Sequence, residues 1–499
     1  MKYAFYDFET SGLNEAFDSL LQVAAVLTDE DFNELDSFNI RGRMKKEFPV
    51  PNAKALLVNG VTVDQLKNEK RSNFALIAEM HSRFRSWGEI TFIGYNSIGF
   101  DEKFLRQSLY QSAFPPYLSN TNGNKRADAL KIIHSAACVS PNSFVRPIND
   151  ETGKISFQLE KFAPANGIEH ENAHDALSDV FATIGVCKLV KERCPEIWAA
   201  AMQTTSKQDV FNYIKKEQVF CASRFFRGKE YTNALAYLCL DPTYPNHAYF
   251  FDLTSDPELI FDLDRSELKK YFAGKKKCFH KIKTNEQPIL LDEKHLYVSE
   301  EFKDVDPTIY HERMKKIKAN SDFIEKIENL LIDMNEDKDY KKDQSEKQPE
   351  EKIFDGFPDS KDNYLAVDFH AALPEKKYDF ITKVSDSRMK EFMKRVMFEE
   401  FFEHLPKNIR DEKNKEIGKK ILSMEKEKWL TIADAMSNID DLREKEEIDM
   451  DILQEIDQYI QELQDRFMEK ENLTDVTNGL TKIVDLKEKK EIEDDNDNL

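Results

Sequence analysis

The sequence predicts an α/β fold over residues 1–200, then a small, mostly antiparallel β module over 201–335, then an all-helical domain over 353–482. Three observations carry this reading. β-Branched and aromatic runs alternate with amphipathic stretches in the first part. Short apolar runs broken by Asp-Pro and Tyr-Pro-Asn turns fill the second, and apolar residues recur every three or four positions in the third. At roughly 100–200 residues per domain, a chain of 499 residues has room for several domains and a large core.

Taken in order, residues 3–9 (YAFYDFE) and 20–28 (LLQVAAVLT) read as strands, the second ending in an acidic turn at 29–31. Residues 91–94 form a short buried strand before a loop at 95–99, and 101–111 are helical, with Phe104, Leu105 and Leu109 at helical spacing. A second helix covers 175–191, where Ala176, Val180, Ile184 and Cys187 belong to an apolar stripe. Residues 234–240, 248–253 and 259–263 read as short strands. Residues 336–352 contain no aliphatic side chain and predict a flexible charged linker, as 483–499 predict a disordered acidic tail. Between them, 387–403, 412–429 and 449–468 have helical periodicity.

Charged residues make up 33% of the chain and the mean hydropathy is −0.63, as in water-soluble proteins. No apolar run reaches the ~18 residues that a membrane-spanning helix requires. Asp7 and Glu9 stand where a secretion signal would carry its apolar stretch. A cytoplasmic protein without a membrane partner is the expectation. The six cysteines (138, 187, 194, 221, 239 and 278) show neither C-x-x-C pairs nor zinc-ligand spacing, which predicts reduced thiols and no thiolate metal centre. The net charge of −21 excludes a generic histone-like binder of nucleic acid. The charge is uneven, however: residues 1–250 carry 28 basic and 30 acidic side chains, residues 251–499 carry 44 and 63, and residues 51–150 carry 12 and 8. A focused site for phosphates therefore remains open.

Asp7 and Glu9 are two apart on a strand, so their carboxylates share one face. Two anions held that close repel unless a cation lies between them, and oxygen-only ligation selects hard ions such as Mg²⁺ or Mn²⁺. A D-x-E on an exposed strand edge is the bland alternative. Asp101, in GYNSIGFD, reads either as a ligand or as a charge at the start of a helix. Asp179 sits a turn into its helix beside the apolar stripe, where an unpaired carboxylate is costly and needs a partner or a metal. His174 precedes that helix and reads as either a reactive or a structural histidine.

Together, D-F-E-T on a strand, Asp101 after G-Y-N and the H-x4-D that ends at Asp179 resemble the DEDD exonucleases, in the branch with a histidine base. The sister branch has a tyrosine four residues before the last acid, where this chain has Asp175. IGYN-x3-FDE with Arg106, the stretch SFQLEKFAPANGIEHENAHDALSDVFATI at 156–184, FDGF at 354–357 and the order of the three domains resemble the bacterial exodeoxyribonuclease I family.

That resemblance implies an RNase H-like exonuclease domain, with a mixed sheet flanked by helices, then an SH3-like β module and a helical C-terminal domain. It implies a monomeric enzyme that degrades single-stranded DNA processively from the 3′ end to 5′ mononucleotides, in DNA repair and recombination. It also implies binding to the acidic tail of single-stranded DNA-binding protein. Two Mg²⁺ ions, or Mn²⁺, would be held by Asp7, Glu9, Asp101 and Asp179, with His174 as the general base. Substrate contacts carried over in the same way fall on Glu9, Thr10, Leu13, Arg106, Tyr117, Arg126, His134 and Gln158. His134 and Gln158 stand where family members have arginine, which predicts weaker or pH-dependent phosphate contact, and Thr121 stands where an aromatic is expected.

Several of these positions have ordinary readings as well. A glycine turn explains Gly12 in TSGL as well as nucleotide contact does. Tyr117, after Phe114-Pro115-Pro116, is either a base-stacking platform or packing beside a proline turn. The cluster at 224–229 (RFFRGK), with Lys275, Lys276, Lys277, Lys281 and Lys283, reads as a guide for DNA or as solvated loops. An exoribonuclease or proofreading nuclease of the same fold would need little beyond the first 200 residues. A catalytically silent nucleic-acid-binding module predicts a missing ligand, yet all five site residues are present.

Overall fold

The computed structural model describes residues 1–170, 175–216, 218–339, 347–445 and 448–470. Its first sheet has five strands, β1 (Tyr3–Thr10), β2 (Leu20–Thr28), β3 (Glu34–Arg41), β4 (Thr91–Gly94) and β5 (Lys125–Asp128), in the order β3-β2-β1-β4-β5. The first three form an antiparallel meander and the last two add parallel to β1, so the sheet is mixed. Five helices of this domain frame the sheet and its acidic residues: α1 (Ala53–Asn59), α2 (Asn73–Ser86), α3 (Asp101–Gln111), α4 (Ala129–Val139) and α5 (Ala176–Arg193).

The period of two along β1 divides its side chains between two cores. Ala4, Tyr6 and Phe8 pack with Leu76, Met80 and Phe84 of α2 and Phe104 and Leu105 of α3. Tyr3 and Phe5 pack on the opposite face with Ile132 and Ile133 of α4 and Val180, Ile184 and Cys187 of α5. Asp7 and Glu9 continue the second row, so the sheet aims both carboxylates toward the start of α5.

A second five-stranded sheet, wholly antiparallel, is built from β6 (Phe220–Phe226), β7 (Lys229–Leu240), β8 (His247–Asp252), β9 (Phe279–Lys283) and β10 (Leu291–Asp292), in the order β9-β8-β7-β6-β10. Residues 259–263 are not a strand as expected. Pro257 holds a helical φ of −68° and Asp256 accepts the Glu258 N–H at 3.0 Å, so the chain turns into a short helix, Glu258–Phe261.

The third domain is helical, with Ser360–Ala371, Pro374–Lys383, Ser387–Glu400, Lys407–Ile421, Ile432–Arg443 and Met450–Lys470. The helix expected over 412–429 stops at Ile421. Beyond it Trp429 turns back to pack on Phe17 and Phe48 of the first domain, its indole N–H donating to the Lys420 carbonyl at 2.9 Å. The core of this domain also takes in Leu21, Val50, Ala53 and Leu56, so the helical domain is docked on the first.

The linker expected over 336–352 is a correction in part. Helix Ser321–Asp339 runs through its first four residues, and Pro349–Lys352 form a tight turn laid across α3. There Gln107 donates to the Glu350 carbonyl at 2.9 Å and Tyr110 to that of Pro349 at 3.2 Å. The Glu350 side chain is 1% exposed and paired with Arg395. A charge-rich stretch that composition assigns to solvent is thus buried by a partner 45 residues away. The predicted tail at 483–499 lies outside the described residues. All six cysteines are unpaired and buried, and no described helix is long and apolar enough to cross a membrane.

Candidate active site

Asp7 and Glu9 come from β1 and Asp179 from the first turn of α5. Each offers a carboxylate oxygen, and these atoms lie within 4.8 Å of one another. The start of α5 is fixed by Asp175, its N-cap, which accepts the N–H groups of Leu177 and Ser178. Asp175 is held in turn by Arg41 of β3 at 3.3 Å and Gln22 of β2 at 3.1 Å.

Asp101 begins α3 and is 4% exposed; its carboxylate accepts the Phe8 N–H at 3.2 Å. Asp101 lies outside the tight trio, tied to the backbone between Asp7 and Glu9, but it acts on both. Burial, then Asp101 and Asp179, drive the Asp7 carboxyl well above its ordinary range. Burial, then Asp179 and Asp101, push Glu9 up to about 9. Arg41 works against this only weakly, since it is paired with Asp175.

This donor set fits a hard divalent cation. Asp7, Glu9 and Asp179 converge, buried Asp101 lies beside them, and all the donors are oxygens. His174 lies outside the described residues. His170, four residues earlier, is within them and meets the trio directly: its Nε2 is 2.6 Å from Asp179 Oδ1. Sequence reasoning passed over His170, although both histidines stand in the same short stretch, EHENAHD. Arg41 and Asp175 were also missed, because a strand-edge arginine and a helix cap carry no signal of what they steady.

The remaining expected contacts separate into three places. Glu9, Thr10 and Leu13 line a cavity of about 670 Å³ between the first and third domains, closed on the far side by Lys426, Lys428 and Trp429. Leu13 is 81% exposed there. A Cβ at Gly12 would collide with the Asp18 carboxylate, so the glycine is required by the turn itself. Arg106, Tyr117 and Arg126 line a second cavity, of about 500 Å³, together with Thr121, Asn285, Phe354 and Phe357. The Arg106 guanidinium lies 5.1 Å from the Tyr117 ring, and Phe357 meets the same ring at 5.7 Å. The phenylalanines of FDGF, 71% and 78% exposed, therefore belong to this groove.

Arg126 is committed inward. It pairs with buried Glu102 at 3.1 Å and donates to the Asn285 carbonyl at 2.8 Å, so a phosphate there must compete with a buried ion pair. His134 lies in a third groove, of about 440 Å³, with Arg224, Lys277, Lys281 and Lys283. Burial against Phe157 and Phe225 lowers its pKa to about 4, so the ring is neutral at pH 7 and offers a phosphate no charge, which accords with the weaker of the two contacts expected there. Gln158 is exposed at the start of the helix Leu159–Ala165 and lines none of these cavities.

Residues 4–187 match the family model described as an exonuclease, which sets the fold and its acidic recess in the exonuclease class. Residues 205–332 match the exonuclease I SH3-like domain, and residues 347–463 the exonuclease I C-terminal domain. The chain belongs to the exodeoxyribonuclease I family. It is 31% identical to exodeoxyribonuclease I of Escherichia coli over 273 residues, 54% of this chain and 57% of that one, so this alignment spans little more than half of the relative. With the Haemophilus influenzae enzyme it is 26% identical over 416 residues, 80% of this chain and 86% of the other. The crystal structure of E. coli exonuclease I with a dA16 oligonucleotide superposes with a TM-score of 0.77 at 22% identity, covering 92% of this chain and 99% of that one.

Proposed function

We propose that this protein hydrolyses single-stranded DNA processively from the 3′ end, releasing 5′ mononucleotides, with two divalent cations, Mg²⁺ or Mn²⁺, at Asp7, Glu9, Asp101 and Asp179. One observation carries this reading: three carboxylates from β1 and α5 converge where burial and mutual repulsion oppose their ionisation, an arrangement that a bound cation relieves. Bound cations supply activation of a water and neutralisation of the scissile phosphodiester. The chain supplies the rest. Asp7 and Glu9 are fixed by the register of β1, Asp101 by the Phe8 N–H and Asp179 by the capped start of α5. His174 takes the proton of the attacking water, phosphorus gains that oxygen, and the bond to the 3′ oxygen of the preceding nucleotide breaks.

The groove of Arg106, Tyr117, Phe354 and Phe357 suits a single strand, with an aromatic platform for bases and a cation for the backbone. The turn at 349–352, latched across α3, supports a strand held between the first and third domains, and hence processivity. Following the family, the acidic tail of single-stranded DNA-binding protein is the proposed protein partner, and a cytoplasmic monomer acting in repair and recombination the proposed working form. Six unpaired, buried cysteines are consistent with a reducing compartment.

The test is a 3′-labelled oligonucleotide incubated with Mg²⁺ and then with EDTA, in single-stranded DNA, RNA and duplex forms. Label released from single-stranded DNA only with the metal is expected; no release in either tube would sink the reading. His174→Ala should slow turnover by roughly 10²–10⁴ while cation binding persists. Turnover at the parent rate would remove His174 as the base.

A further inference from the structure

We propose that His170 is a positioning residue that holds the Asp179 carboxylate in its cation-binding orientation by donating Nε2–H to Oδ1. This deepens the proposed function and rests on those carboxylates holding divalent cations.

Asp179 is the one member of the trio that does not come from β1. Asp7 and Glu9 inherit their placement from strand register, but an aspartate in the first turn of a helix can rotate about χ1 and χ2 unless something engages its oxygens. His170 does so at 2.6 Å, with a side chain only 1% exposed. Its Nδ1 is buried and has no hydrogen-bond partner among the described residues. A ring with a proton on Nδ1 would leave a buried donor unmet, whereas the neutral Nε2–H tautomer leaves only a lone pair and points its single donor at Asp179. Carboxylates that ligate metals are characteristically hydrogen-bonded in this way by a neighbouring group.

The fold also fixes the histidine from behind. The helix Leu159–Ala165 ends in a turn at Asn166 and Gly167 (φ +77°), after which Ile168 donates its N–H to the Ala163 carbonyl at 3.0 Å. Ile168 then presses on α5 at Gly185, where a Cβ would collide with its side chain. The absence of a side chain at that point lets the 167–170 segment lie close on α5, and so brings the ring to the carboxylate a turn and a half up the helix.

The experiment measures Mn²⁺ binding to the full chain without DNA, by loss of the free-ion electron paramagnetic resonance signal, alongside melting temperature. Four proteins are compared: wild type, Asp179→Asn, His170→Leu and His170→Gln. Leucine keeps bulk and removes the donor; glutamine places its amide Nε2 where the imidazole Nε2 stood. Expected are Mn²⁺ affinity lowered roughly 10–100-fold in H170L, a larger loss in D179N, and recovery to within a few-fold of wild type in H170Q. Wild-type affinity in H170L, or equal impairment in H170Q and H170L with unchanged melting, would overturn the proposal. If H170L does not fold, His170→Met takes its place against H170Q. Absence of Mn²⁺ binding in wild type would remove the cation reading itself, and this proposal with it, whereas failure confined to the His170 variants would leave that reading standing.

Discussion

Two groups of buried acids in this chain titrate in opposite directions. In the active-site recess, burial and mutual repulsion drive Asp7 well up and Glu9 to about 9. At the junction of the first and third domains, Glu47, Glu350 and Glu391 meet Arg395, Lys413 and Lys420, three acids to three bases. Burial raises Glu47 and Glu391 too, but Arg395 and the lysines more than reverse it, holding Glu47 below its usual range and Glu391 down to about 2. Both places gather carboxyl groups out of solvent; the presence of counter-charge separates a structural joint from a recess suited to a cation.

The widest separation between the two comes from removing one acid in each. Asp7→Asn should abolish nuclease activity, by more than the roughly 10²-fold typical of losing a group that merely supports a metal ligand. In EDTA it should also melt higher than wild type, because it relieves repulsion. A lower melting temperature for D7N in EDTA would mean that the acids do not repel in the free protein. At the junction the sign reverses. Arg395→Gln takes from buried Glu350 its ion-pair partner and should cost about 3–5 kcal/mol in denaturant unfolding. It should also shorten the run of nucleotides released per encounter, since Arg395 latches the turn that crosses α3.

How much of this was legible in the sequence divides along the same line. The D-x-E, Asp101 and Asp179 could be singled out because they stand in short motifs on a strand and at two helix starts, placements that local periodicity reports, and because their joint pattern resembles that of the DEDD exonucleases. Residues 347–352 could not. Glu350 reads as solvated until Arg395 and Gln107 arrive from other domains, and composition carries no information about a partner so remote. The same holds for Arg126, legible as a basic residue in a positive stretch but not as the partner of Glu102. At 259–263 the apolar run suggested a strand, and the local chemistry of Asp256 and Pro257 decided for a helix.

A pH series sharpens the contrast further. For Glu9 the folded value, about 9, lies above the ordinary 4.5, so the cation-free protein is favoured below pH 4.5 and loses stability as pH rises toward 9. The rise in melting temperature on adding Mn²⁺ should therefore grow across that window, as protons cease to compete for the carboxylates. Glu391 has the opposite sign: its contribution is complete above about pH 4.5 and fades as pH falls toward 2. A cation-induced shift that stays flat from pH 5 to 9 would contradict the raised value in the recess, and a junction unaffected by acid would contradict the lowered one.

The smallest effect expected belongs to the groove, where neither repulsion nor a closed ion network operates. The Tyr117 ring is bounded by the Arg106 guanidinium at 5.1 Å and Phe357 at 5.7 Å, both near the surface. A base inserted there gains a stacking face and keeps a cation within reach of its phosphate. Tyr117→Ala should weaken binding of a single-stranded oligonucleotide by about 1–3 kcal/mol, and Tyr117→Phe by much less. Neither change should move Mn²⁺ affinity or melting temperature, because the ring touches neither set of buried acids. Unchanged oligonucleotide affinity in Y117A would make the aromatic pair simple packing and shift the path of the strand toward the basic groove beside His134, where Arg224 and Lys283 line the wall.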